Sequence, residues 1–306
     1  MTGERDIIVA GNNTNDPDQR ITLAQITETA LVRGNSITLR TGDGPNTITL
    51  GKNTYSTGAM NLIGGAGDDT VTLDGTYTLD ALTIDLGGGS NSLTAAGLYT
   101  VGGALAIRGG SGRDTLDLQG EYAARSMEID VGDGQNDITL TGTYRIANAF
   151  TIRGGSGNDT LLDFRTGGGA ASPTNITAGS LSIDLGGGTN TVRLSGTYAT
   201  PTGAITIRTG AGNDTIDLQG SYTARALSVE AGAGTNDLTL TGRYRITEAF
   251  TITTEGGSDT LTDLRAASGG VETADIQARS LAIRLGDGSN TATLAGTYAI
   301  DEAFIL

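Results

Sequence analysis

Apolar and outward-facing residues alternate along this chain with period two, in short runs that recur down its whole length. Leu82 and Ile84, Leu105 and Ile107, and Met127 and Ile129 each bracket a single residue, and each pair leads into a glycine-rich turn. Beyond such turns the alternation resumes with Ile48 and Leu50, Val71 and Leu73, and Leu116 and Leu118. Period-two alternation marks a strand with one buried face. The pattern therefore predicts two short strands per repeat, with Thr, Ser, Asp or Arg on the wet face, and no helix.

The first glycine of each G-x-G-x-[D/N] turn serves as a marker: Gly42, Gly65, Gly87, Gly110, Gly132, Gly155, Gly186, Gly210, Gly232 and Gly286, with Glu255 in the same role and a degenerate copy at Gly11. Successive markers lie mostly 22 or 23 residues apart, with three steps of 31. Self-similarity at a fixed period is the signature of a solenoid. Twelve rungs fill residues 1–306 as one repeat domain, with inserts expected near 16–33, 161–180 and 261–280. Two inserts share L-x-D-x-R, at 161–165 and 261–265, and Asp163 and Asp263 fall where other rungs have a core leucine. The chain is expected to leave the solenoid path there. Residues 151–164 and 251–264 match at a distance of 100, which implies a duplicated block of four rungs.

Three columns refine this picture. Two residues before the marker the chain reads Asp85, Arg108, Asp130, Arg153, Asp184, Arg208, Glu230. If each rung is one coil, opposite charges neighbour each other on parallel strands; if a coil took two rungs, like charges would stack, which is destabilising. One rung per coil is therefore expected: an all-β, parallel β-solenoid of about twelve coils of 22–23 residues. The turns end in a second alternating column: Asp69, Asn91, Asp114, Asn136, Asp159, Asn190, Asp214, Asn236, Asp259, Asn290. All nine tyrosines fall in the corner that follows the second strand, seven of them in the form L-x-G-x-Y. They predict a stack of rings along one edge, each facing core and solvent at once.

Composition narrows the function. There are 49 Gly and 4 Pro, with no Trp, Cys or His, and a net charge of −15. Acidity of this degree argues against nucleic acid and anionic membrane surfaces as partners. No apolar run is long enough to insert in a membrane. Thiol chemistry is excluded, and no G-x-S-x-G elbow, P-loop or dinucleotide fingerprint is present, so no enzyme is expected. The opening residues MTGERDIIVAG lack the basic and apolar regions of a cleaved signal peptide. The expected location is extracellular or on a bacterial cell surface, reached without such a peptide.

The turns GGAGDDTVTL (64–73), GGSGRDTLDL (109–118), GGSGNDTLLD (154–163) and TGAGNDTIDL (209–218) resemble the glycine- and aspartate-rich repeats of the RTX, or haemolysin-type, calcium-binding family. That resemblance implies a secreted bacterial β-roll in which turn carbonyls and aspartates bind Ca2+. Carried over by position, the ligands would be the carboxylates of Asp69, Asp114, Asp159 and Asp214, with carbonyls of Gly65, Gly67, Gly110, Gly112, Gly155, Gly157, Gly210 and Gly212. Stacked turns of carbonyl and carboxylate oxygens can in principle fill a calcium shell. The spacing departs from the family, whose turns recur every nine residues, and here Asn stands in the neighbouring turns.

The expectation is thus a structural scaffold: an adhesin stalk, surface-layer piece or extracellular filament, stiffened by Ca2+. An open β edge at its end would be covered by further copies of itself or by more of a longer chain. Two alternatives stand beside it. Ranks of T-x-T after the turn, as at 46–50, 69–73 and 290–294, resemble ice-binding faces. A polysaccharide-active β-helix enzyme could work with Asp and Arg alone, although the acids repeat with the coil and no Trp is present to form a sugar platform.

Overall fold

A computed structural model of the protein describes residues 7–10, 19–23, 31–163, 174–267 and 270–306. The chain folds as a parallel β-solenoid of about eleven turns, without helices among the described residues. One coil shows the plan. A long strand, Glu121–Asp130, enters the glycine-rich turn; a short strand, Asp137–Leu140, leaves it; and a corner at Gly142 opens the next long strand, Thr143–Arg153. Long strands stack on long strands and short on short, all in parallel. In two coils, Thr70–Asp85 and Ser92–Arg108, the strand runs through the corner without a break. The marker at Gly11, which would have opened a twelfth turn, lies outside the described residues.

The register is the one the charges required. Asp85 pairs with Arg108, Arg108 with Asp130, Arg153 with both Asp130 and Asp184, Arg208 with both Asp184 and Glu230. Each rung is therefore one full coil. Apolar columns run the length of the core, and Leu82, Leu105, Met127, Phe150, Leu181, Ile205, Leu227 and Phe250 succeed one another in register. Every one of them is buried.

Long strands are longer than the apolar pairs suggested. Between their tyrosine-bearing and pre-turn halves the ladder shifts register, for instance between Val101 and Ala104. The shift is a bulge that bends the strand, so each coil has three straight runs where two were expected.

The tyrosines also differ from expectation. They form a stack, with ring centroids 4.6–5.0 Å apart and planes within 7° from Tyr55 to Tyr144 and again from Tyr198 to Tyr244. Yet these rings lie wholly inside, at most 1 % exposed, and not at an edge. Burial is possible because the hydroxyls find carbonyls within the core: Tyr122 donates to Ala95 O at 2.7 Å, Tyr144 to Leu118 O at 2.8 Å and Tyr244 to Leu218 O at 2.7 Å. Ile176 and Ile276 interrupt the stack in the coils that carry inserts.

The inserts are narrower than their expected bounds. Gln19–Leu23 pairs in register with Asn46–Leu50 and belongs to the short-strand ladder. Asn175–Asp184 and Asp275–Arg284 are ordinary long strands. Departure from the path comes just after Asp163 and Asp263, and return comes at Thr174 and Ala274. In the second insert, Leu264–Ala267 and Gly270–Thr273 form an antiparallel hairpin, closed by an Ala274 N–H to Asp263 O bond of 3.0 Å.

Candidate functional site

The Asp/Asn column lies inside the turn edge, and Asn46, Asp69, Asn91, Asp114, Asn136, Asp159, Asn190, Asp214, Asn236 and Asp259 are all buried. Each backbone N–H in the column donates to the side-chain Oδ1 one coil further on. The chain begins with Asn46 N–H to Asp69 (2.9 Å), Asp69 N–H to Asn91 (2.9 Å) and Asn91 N–H to Asp114 (2.9 Å). It continues without a gap to Asp259 N–H on Asn290 (2.8 Å). A buried N–H that the strands cannot reach is thus satisfied by the next coil.

Asparagine and aspartate differ in their second atom. The Nδ2 of Asn136 donates to Gly132 O within its own turn at 3.1 Å and to Asp159 Oδ1 at 2.9 Å; that of Asn236 donates to Gly232 O at 3.3 Å and to Asp259 Oδ1 at 2.9 Å. An aspartate has no such proton. Asp69 Oδ2 accepts Gly65 N–H at 3.2 Å, whereas Oδ2 of Asp114, Asp159 and Asp259 is buried with no donor. Desolvation raises the pKa of Asp69 and Asp114, and lifts Asp159 and Asp214 to about 6.

The arrangement bears directly on the expected calcium ligands. The four carboxylates do lie in one column, but every Oδ1 already holds a backbone N–H. The eight carbonyls abut the next turn. A methyl group on Gly87, Gly132, Gly186 or Gly232 would lie within 2.0 Å of the oxygens of Gly65, Gly110, Gly155 and Gly210 respectively. One on Gly89, Gly134, Gly188 or Gly234 would lie within 2.6 Å of those of Gly67, Gly112, Gly157 and Gly212. These oxygens lie close against the backbone of the neighbouring turn. Among the described residues, no three acidic side chains come together as a metal site. The glycines recur because stacked turns approach this closely.

The pre-turn charges have two tasks. Arg208 holds Glu230 through two bonds, at 2.7 and 3.0 Å, while Arg153 reaches Glu128 on the same face rather than its ladder neighbours. Asp130 and Asp184 instead accept the N–H of Gly132 and Gly186, each at 3.2 Å, and so help to fasten the turn.

Asp163 and Asp263 are the residues whose role the sequence concealed. Both are fully buried where other coils place leucine. Asp163 accepts four bonds: from Ser195 N–H (2.7 Å), Ser195 Oγ (3.0 Å), Gly196 N–H (2.5 Å) and the Tyr198 hydroxyl (2.6 Å). Asp263 does the same for Ala295, Gly296 and Tyr298. Where the insert diverts the strand, a carboxylate replaces the carbonyl and leucine that would otherwise meet the next tyrosine. The missing tyrosine in each of these coils was the available signal.

Threonines line the short strands in register over the first coils, Thr47 with Thr70 and then Ser92, and Thr49 with Thr72 and then Thr94. Asp117, Leu162, Arg193 and Asp217 then break the second rank in turn. Compared with models of known protein families, with curated protein sequences and with solved structures, the chain matches none.

Proposed function

We propose that this chain is a structural segment of a secreted or cell-surface bacterial protein, a stiff acidic rod of the kind used in adhesin stalks, surface layers or extracellular filaments. The observation that carries the reading is the commitment of nearly every repeated column to coil-on-coil contact. Backbone, buried Asx side chains, tyrosine rings and opposite charges all bond along the axis, which resists bending. Acids that recur with the coil support a scaffold better than a catalytic centre. The same ladders favour growth by stacking. In the last coil Leu294, Tyr298 and Ile300 are only half-buried, and Phe304 and Ile305 are 49 % and 47 % exposed. Further copies of the chain, or more of a longer one, would cover them.

Sedimentation velocity and electron microscopy over a range of concentrations test this. Rods that lengthen with concentration, and that Leu294→Asp with Phe304→Glu keeps short, are expected; a strictly monomeric particle at every concentration overturns the stacking. The scaffold reading also expects no thermal hysteresis and no release of ends from acidic glycans. Either activity would favour the ice-binding or the enzymatic alternative.

A further inference from the structure

Equivalent positions in the two blocks of one hundred residues carry the same arginines with different partners. In the first block a groove of about 670 Å³ crosses the long strands over their bulge. Ala123 and Ala147 give it an apolar floor over the buried Val101, Ala124 and Ile146, Arg125 and Arg145 form its rim, and Thr177 closes one end. In the second block the corresponding arginines are neutralised. Arg225 donates to Glu248 at 3.0 Å, and Arg245 grips Asp275 at 3.1 and 2.6 Å. In the first block Asn148 and Asn175 stand in place of those two acids. Arg145 keeps one loose ion pair, with Glu121 at 3.7 Å, and Arg125 shows no ion pair among the described residues.

We propose that this groove binds an acidic glycan through the carboxylate of a uronate residue. Two guanidinium groups present planar forks that match a carboxylate, which accepts two parallel bonds from each fork. The apolar floor suits the C–H face of a sugar ring, and the open shape suits an extended chain. The Thr177 hydroxyl offers a partner to ring hydroxyls. A peptide is disfavoured because strand addition needs a free sheet edge, and here Glu121–Asp130 is paired on both sides, with Ser92–Arg108 and Thr143–Arg153. With a net charge of −15 on the whole chain, the groove is a local cationic spot on an acidic rod, so binding should weaken as salt screens it.

Isothermal titration with trigalacturonate, against maltotriose, sodium sulfate and triglutamate, tests the assignment. Saturable binding of trigalacturonate alone is expected. The double variant Asn148→Glu with Asn175→Asp, which rebuilds the acids of the second block, should lower affinity at least tenfold, as should Arg125→Ala. Arg225→Ala should leave it unchanged. Melting curves of each variant separate a lost site from a lost fold, and since all four positions are on the surface, these are expected to superimpose. No saturable binding up to millimolar trigalacturonate overturns the proposal, as does binding that the double variant leaves intact. Sulfate or triglutamate binding as tightly as the uronate also overturns it.

Discussion

At Gly132 the backbone has φ of +72°, and an added methyl group would lie 1.9 Å from the Gly110 oxygen. Gly187 belongs to the same family of turns, yet nothing lies within 4 Å of the corresponding position and its φ is not positive. Gly132→Ala should therefore destabilise by about 2 kcal/mol or more, whereas Gly187→Ala should stay within about 0.5 kcal/mol; chemical denaturation of both variants measures the difference. Tyrosines give a second pair. Tyr144 donates to Leu118 O at 2.8 Å, while the buried Tyr77 hydroxyl has no partner. Tyr144→Phe is expected to cost about 1 kcal/mol, and Tyr77→Phe to be neutral or stabilising, because only the first removes a bond that was made. In the sequence these residues look alike. Which glycine is crowded and which hydroxyl is satisfied depends on the coils above and below.

Among the elements, the two insert junctions and the Asx ladder are the most exposed to mutation. Asp163→Ala would strand the N–H groups of Ser195 and Gly196 and the Tyr198 hydroxyl in the core. Leaving several buried donors unsatisfied predicts a loss of about 3 kcal/mol or more, readable as a lower melting temperature. The ladder makes a pH prediction. Burial raises Asp159 and Asp214 to about 6 in the folded chain, above an unfolded value of 3.8. Folding therefore favours their protonated form, and the stability they contribute is complete below pH 3.8 and lost as pH rises through about 6. Exposed carboxylates held low by partners, such as Glu230 beside Arg208 and Asp275 beside Arg245, act oppositely and only at more acid pH. The melting temperature should be higher near pH 4.5 than at pH 7.5, and Asp159→Asn with Asp214→Asn should shrink the difference. An unchanged or inverted difference would show that the buried acids are not desolvated in solution.

For the molecule as a whole, no three acidic side chains among the described residues come together as a metal site, so adding millimolar calcium to chelator-treated protein is expected to leave the melting temperature unchanged. A ligand that binds only the folded state must raise it, so a rise would show that the folded chain binds calcium. Strand type, coil length and parallel stacking were legible beforehand, since period-two patterning and the alternation of Asp85, Arg108, Asp130 and Arg153 depend only on residues close in sequence or one period apart. The surroundings of the turn oxygens were not legible in the same way. GGSGRDTLDL names oxygens without saying where they point, and the oxygens of Gly110 and Gly112 point at the next turn.

The sequence alone determined the one-rung coil, the buried strand faces and the places where the path is interrupted, because a periodic chain repeats the same local choice and like charges forbid the alternative register. Tertiary structure decided what each repeated residue does. Stacking brings turns close enough that only glycine fits, draws the tyrosines wholly into the core by supplying carbonyls, and turns Asp and Asn into alternating links of one hydrogen-bonded column. It also brings Arg125 and Arg145, from neighbouring coils, to the rim of one groove.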